Sequence, residues 1–92
     1  MIGFAECECI IYDASSLKEK RAVLKRIITR IRGRFNVSVS EIAYQDSWQR
    51  TCIGIAAVSS SRVQTEKELQ RVLSFIDSFP EIERTITRTE WF

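Results

Sequence analysis

The sequence has no histidine among its 92 residues, and it has only one proline and three glycines. Without histidine the commonest general base is missing, and no Ser-His or Cys-His nucleophile pair can form. The glycines, at positions 3, 33 and 54, are too far apart to build a glycine-rich phosphate loop. We therefore expect that the protein is not an enzyme.

No apolar run approaches the roughly 18 residues that a membrane-spanning helix needs. The N-terminal segment lacks the basic start and long apolar stretch of a signal peptide, and Glu6 and Glu8 interrupt it. Three cysteines, an odd number, fit a reducing compartment better than a disulfide framework. These features predict a cytoplasmic protein with no membrane partner.

The cysteines could also be considered as metal ligands. Cys7 and Cys9 alternate in an extended run, so their thiols share one face of a strand, and Cys52 could supply a third ligand. However, a strand Cys-x-Cys pair is not a zinc-knuckle spacing, and no histidine is available. Since free cysteine is usually a small buried hydrophobe, we expect core packing, no metal and no cofactor.

The N-terminal part of the chain predicts a strand followed by a helix. Apolar and polar side chains alternate over residues 2–13, which predicts a strand. Ser16 and Glu19 fit a capping box at the start of a helix, in which the side chain of each residue bonds the backbone amide of the other. An apolar stripe with helical spacing continues to Phe35 over about five turns, and Gly33 is expected to terminate the helix. The stripe consists of Leu17, Leu24, Ile27, Ile28 and Ile31.

The rest of the chain predicts a hairpin, a helix and a last strand. Residues 36–44 and 51–59 favour strands, joined by the polar hexapeptide 45–50. Ser59–Ser61 offers N-caps for a second helix, which the single proline is expected to end. Apolar and polar side chains alternate again over residues 82–92, which predicts the last strand.

This order of elements predicts one α+β domain over residues 1–92. Two right-handed crossovers give a β-α-β-β-α-β arrangement, with a four-stranded antiparallel sheet of order 4-1-3-2 and both helices on one face. In that topology the capping segment 16–21, the loop 45–50 and the turn around Pro80 share one end of the molecule. Loops on a rigid scaffold are a usual place for function.

Positive charge is concentrated in the first predicted helix. Between Leu17 and Phe35 there are eight cations and one anion, a segment charge of +7, so the rest of the chain carries −5. Such asymmetry is typical of a polyanion binder, and few acidic residues lie at i±4 to neutralise it. Alternatively, the cations only form the solvent-exposed face of an amphipathic helix, and their aliphatic stems cover apolar surface. One flank of the helical wheel consists of Lys18, Arg21, Lys25 and Arg32.

The polar hexapeptide offers a second candidate binding element. Trp48 with Arg50, Gln45 and Gln49 combines a stacking surface with hydrogen-bonding groups, as RNA binders do. Alternatively, Trp48 folds back over the edge of the core and Asp46 caps the turn. The candidate RNA- or partner-binding residues are Lys18, Lys20, Arg21, Lys25, Arg32, Gln45, Asp46, Trp48 and Arg50.

The face of the sheet without helices is a third candidate surface. Exposed apolar residues or an unpaired edge strand there would favour a homodimer, through the open face or the last strand. Its expected residues in the first strand are Phe4, Glu6, Glu8, Ile10 and Tyr12. Its expected residues in the last strand are Arg84, Ile86, Arg88 and Glu90, before the terminal Trp91-Phe92.

Three segments of the chain resemble the YlxP-like family: SLKEKR at 16–21, FNVSV at 35–39 with Glu41, and QDSWQR at 45–50 followed by Ile53-Gly54. The resemblance covers nearly the whole chain and implies a ferredoxin-like fold and a domain of unknown function. Members are commonly encoded beside translation initiation factor 2 and ribosome-binding factor A, which implies a role near the small ribosomal subunit. We therefore expect a binding module for ribosomal RNA or a pre-ribosomal particle. The alternative is a homo-oligomeric structural or ligand-sensing ferredoxin-like domain without a nucleic-acid role.

Overall fold

The computed structural model describes all residues from 1 to 92 and confirms the predicted order of elements. The four strands form one antiparallel sheet in the order β2-β3-β1-β4, which is the predicted order read from the other edge. Both helices cover one face, so the fold is the expected α+β ferredoxin-like arrangement. The elements are β1 Ile2–Ile11, α1 Leu17–Arg34, β2 Ser38–Ala43, β3 Arg50–Val58, α2 Arg62–Asp77 and β4 Ile82–Trp91. Neither helix is long and apolar enough to cross a membrane.

The core lies between the sheet and the helices. Every second residue of β1, from Gly3 to Ile11, is buried on the helix side, because successive side chains of a strand point to opposite faces. Cys7 and Cys9 lie in this core, as expected, with their sulfur atoms 3.9 Å apart. Cys52 is directly opposite Glu8 in the sheet and is therefore buried on the other face. The three thiols do not converge on one point.

Both ends of α1 differ in detail from the prediction. The Ser16 hydroxyl accepts from the Glu19 amide at 3.1 Å, as expected, but the Glu19 carboxylate accepts from the amide and hydroxyl of Ser15. Gly33 does not terminate the helix and lies within it, in a right-handed conformation. The helix ends instead at Phe35, which turns to an extended conformation and packs its ring against Phe75 at 5.4 Å.

An irregularity in the β1–β4 pairing changes which side chains share a face. The register shifts between Glu8 and Cys9, so Arg84 lies opposite Cys9 on the helix side. The prediction that Arg84 lies on the open face was therefore wrong. Its guanidinium donates two hydrogen bonds of 2.8 Å to Asp77 of α2, and this contact lowers the pKa of the Asp77 carboxyl. Trp91 also faces the helices, under the guanidinium of Arg62.

Candidate nucleic-acid interface

The three segments that the topology was expected to bring together do lie at one end of the molecule. The Ile11 amide donates to the Gln49 carbonyl at 2.8 Å, and the Tyr12 amide donates to the Glu81 carbonyl at 2.9 Å. The side-chain amide of Gln49 also donates to the Ala14 carbonyl at 3.4 Å. The start of α1, the loop between β2 and β3, and the turn before β4 are therefore neighbours.

Lys20 is buried and not on the binding surface. Its side chain is 0% exposed, and its ammonium lies 2.9 Å from Oε2 of Glu41 and donates to the Tyr44 carbonyl. The Thr51 hydroxyl donates to the same Glu41 oxygen at 2.6 Å. The expectation that Lys20 contacts RNA was therefore wrong, because its charge is already paired inside the protein. This internal contact instead joins α1 to the start of the loop.

The same contact joins two of the segments that resemble the YlxP-like family. Lys20 belongs to the segment 16–21, and the carbonyl that it bonds belongs to Tyr44, directly before the segment 45–50. Tyr44 has φ 61°, in the left-handed region that is costly for residues other than glycine. The buried ammonium thus stabilises an unfavourable backbone conformation at the entrance to the loop.

The other predicted cations of α1 are exposed. Lys18, Arg21 and Lys25 have no carboxylate within 4.0 Å and make no side-chain hydrogen bond within the protein. Arg32 is also exposed and donates to the Val39 carbonyl of β2 at 3.1 Å, which leaves its charge uncompensated. We call these four residues the basic flank; it spans about 21 Å at 1.5 Å per residue.

The remaining cations of α1 point toward α2 and the turn before β4, and each has a partner. Arg26 forms a salt bridge with Glu81, and Arg30 lies over the ring of Phe79 at 5.7 Å. Arg34 lies over the ring of Phe75 at 5.1 Å. The structure thus divides the basic helix into a partnered side and the basic flank, a distinction that charge counting cannot make.

The loop presents its aromatic residue to solvent. Trp48 is 54% exposed, so it does not fold back over the core as the alternative required. Gln45 and Asp46 are exposed too, and the turn is closed by the Ser47 amide donating to the Tyr44 carbonyl at 3.1 Å, without a bond from Asp46. These three exposed residues remain candidates for a contact with a partner.

Arg50 lies away from the basic flank, on the open face of the sheet. Its guanidinium is 4.2 Å from the centroid of the Tyr44 ring and 3.3 Å from Oε1 of Glu8. Glu8 also accepts from the Tyr44 hydroxyl at 3.0 Å and from Arg88 at 3.2 Å. The pKa of the Glu8 carboxyl is lowered chiefly by the Tyr44 hydroxyl and then by Arg88. Arg50 therefore belongs to a network that joins β1, β3 and β4 with Tyr44, directly after β2, and not to the surface of α1.

Sequence reasoning missed this network because it depends on cross-strand neighbours. It also missed Lys20, although a signal was present. At 100° per residue Lys20 lies in the middle of the stripe formed by Leu24, Ile27 and Ile31. A cation in that position indicates a buried ion pair, and the structure identifies Glu41 as its partner.

The open face also carries exposed apolar side chains on either side of the network. These residues are between 43% and 66% exposed. They are Ile2, Ile42, Val58 and Ile86.

Comparison with known proteins gives the family of the chain. A family model described as a protein of unknown function, DUF503, matches residues 2–89. The uncharacterized protein YlxP of Bacillus subtilis (strain 168) is 87% identical over 92 residues, which cover 100% of both chains. The chain therefore belongs to the DUF503 family, as its YlxP-like segments predicted.

Proposed function

We propose that this protein is a cytoplasmic RNA-binding module that associates with ribosomal RNA or a precursor of the small ribosomal subunit. One observation carries the proposal: Lys18, Arg21 and Lys25 are exposed side by side on α1 without an acidic partner. Since no ion pair has to be broken, each cation can approach a phosphate and release its counterion. Three free cysteines are in keeping with a reducing compartment.

The loop next to the start of α1 supplies a second kind of contact. Stacking of a base on an exposed indole such as Trp48 contributes about 1–3 kcal/mol. The bonds from Lys20 and Gln49 hold the two ends of this loop, which reduces the entropy lost when it binds. Phosphate contacts beside a stacking residue favour single-stranded or looped RNA over a regular duplex.

The test measures how RNA affinity depends on salt. We expect the triple variant Lys18→Glu, Arg21→Glu, Lys25→Glu to bind a small-subunit ribosomal RNA fragment much more weakly. The slope of log affinity against log salt should also become shallower by about 2–3, at 0.7–0.9 per lost phosphate contact. Trp48→Ala should weaken binding without changing the slope, because it removes a contact that carries no charge.

A matched pair of variants separates a local contact from net charge. Lys25→Glu and Lys67→Glu change the net charge equally, but Lys67 is an exposed residue of α2, outside the basic flank. Only the change at Lys25 should lower the slope. Equal effects of both variants, or an unchanged affinity of the triple variant, would contradict binding through the basic flank.

The ribosomal part of the proposal needs a separate experiment. In a sucrose gradient of cell lysate, the tagged protein should migrate with the small subunit at low salt and be released at high salt. If it stays at the top of both gradients, stable ribosome association is wrong, whatever its affinity for isolated RNA.

A homodimer through the open face is the second candidate, and the exposed Ile42 and Ile86 favour it. It predicts a dimer mass in light scattering that Ile86→Lys converts to a monomer mass. A monomer mass for the unchanged protein at every concentration would refute it. Trp91 is unsuitable for this test because it packs against the helices.

A further inference from the structure

A groove of about 430 Å³ lies between α2 and the C-terminal end of α1. The loop with Trp48 is at the opposite end of α1, so this groove is separate from that part of the proposed RNA interface. Its volume is within the roughly 300–1,000 Å³ of small-molecule sites. The groove is lined by Arg34, Phe35, Gln70, Arg71, Ser74 and Phe75.

Two aromatic rings provide the apolar part of the groove. Phe35 and Phe75 are both half-buried, with ring centroids 5.4 Å apart and an angle of 65° between their planes. The guanidinium of Arg34 lies 5.1 Å from the centroid of the Phe75 ring. The same guanidinium lies 5.8 Å from the centroid of the Phe35 ring, so it covers both rings. Because Arg34 is exposed, the outer face of its guanidinium can stack on a planar aromatic ligand.

The polar part of the groove is suited to an anion. Neither Arg34 nor Arg71 has a carboxylate within 4.0 Å, although Glu68 lines the adjoining groove together with Arg71. The side chains of Gln70 and Ser74 make no hydrogen bond within the protein, so their donors are available. Two guanidinium groups beside uncommitted donors favour a phosphate, which arginine can bind through two parallel bonds.

From this combination we infer that the groove binds a nucleoside monophosphate. The base stacks on the outer face of the Arg34 guanidinium, which itself lies over the rings of Phe35 and Phe75, and the phosphate is bound by Arg71 and by the N–H edge of Arg34. The nucleotide is either a free molecule or the phosphorylated end of an RNA strand, because both present the same ring and anion. The inference does not rest on the basic flank.

The test is an amide chemical-shift titration of the full chain with adenosine 5′-monophosphate, adenosine and inorganic phosphate. The monophosphate should shift residues 34–35 and 70–75 and reach saturation, and each half-ligand should bind roughly tenfold more weakly or worse. Arg71→Gln should lower the affinity for the monophosphate roughly tenfold, the loss expected for one charge-assisted contact. Lys67→Gln, one turn earlier on α2 and outside the groove, is the matched control and should change nothing.

Three results would overturn the inference. They are the absence of a saturable chemical-shift change, changes confined to residues outside the groove, and an equal loss of affinity for the monophosphate in Arg71→Gln and Lys67→Gln. Arg71 is exposed, so its variant should keep the melting temperature of the parent protein and remain interpretable. A short RNA with and without a 5′-phosphate identifies the source of the ligand. Tighter binding of the phosphorylated RNA than of free nucleotide assigns the groove to RNA ends, and the reverse assigns it to free nucleotide.

Failure of this inference can be distinguished from failure of the proposed RNA docking. The variant with Lys18, Arg21 and Lys25 changed to Glu leaves every groove residue intact. It should bind the monophosphate like the parent protein even though it loses the salt-dependent RNA contact.

Discussion

Replacement of Lys20 by Met should strongly destabilise the protein, because it removes the buried ammonium that pairs with Glu41 and donates to the Tyr44 carbonyl. Glu41 has only 17% of its side chain exposed, and it would keep the Thr51 hydroxyl but lose the ammonium 2.9 Å away. The Tyr44 carbonyl would lose the ammonium too and keep only the bond from the Ser47 amide. Removal of one partner of a buried pair typically costs about 3–5 kcal/mol, and we expect about 3 because Glu41 remains partly solvated. For a domain of this size a loss of about 3 kcal/mol lowers the melting temperature by roughly 12–24 °C.

Urea unfolding followed by circular dichroism measures the free energy, and Lys18→Met is the matched control. Lys18 is exposed and unpaired two positions earlier, so its replacement should change the free energy of unfolding by no more than about 0.5 kcal/mol. A second variant tests the cause: Lys20→Met, Glu41→Leu and Thr51→Val together remove all three polar groups and should recover most of the loss. The reasoning is refuted if Lys20→Met lies within about 1 kcal/mol of the parent protein, or if the triple variant is no more stable than the single one.

Three further predictions follow from the backbone and the open face. Gly33→Ala should raise the free energy of unfolding by about 0.5–1 kcal/mol in urea, since Gly33 is helical and nothing lies within 4 Å of an added methyl group; a lower value would contradict this. Gly3→Ala should cost about 1–3 kcal/mol in the same assay, because the methyl group would lie 2.7 Å from a side-chain carbon of α2 and 2.8 Å from the indole of β4; unchanged stability would disprove the contact. The carboxyl of Glu8 should titrate below its ordinary pKa of 4.5 in a ¹³C experiment, with a higher midpoint in Tyr44→Phe and Arg88→Met. Because the folded pKa is the lower one, Glu8→Gln should reduce stability near neutral pH, and the difference should disappear as the pH falls through the folded pKa; a difference that persists in acid would argue against it.

The pattern of the residues was sufficient to predict the fold. Alternation in β1 and β4, a helical stripe behind the Ser16 cap, and a polar hexapeptide between two short strands are local signals that hold in almost any context. The handedness of the crossovers then leaves one arrangement of the four strands. The neighbouring positions of the segment 16–21 and the loop 45–50 followed from that arrangement alone.

The errors in the prediction concern side chains whose environment depends on distant residues. Gly33 was expected to end α1, but it lies within the helix, and Phe35, just past the last helical residue, packs its ring on Phe75 of α2. Arg84 was placed on the wrong face because an irregular register reverses the alternation along β4. Arg50 was expected to act beside Trp48 in the loop, yet it stacks on Tyr44 and pairs with Glu8 on the open face.

Lys20 shows the difference between what the sequence determines and what the tertiary structure alone determines. The amino-acid sequence established that a strongly basic helix follows β1 and that its cations outnumber its anions eight to one, because charge and period can be counted along the chain. Whether a given cation faces solvent or a carboxylate depends on which strand packs beneath it. That choice belongs to the folded molecule, where Glu41 of β2 reaches Lys20 while Lys18, Arg21 and Lys25 remain unpaired. The surface available to a partner is therefore decided by the packing of α1 on the sheet, since burial and pairing of a charge are properties of its three-dimensional neighbours.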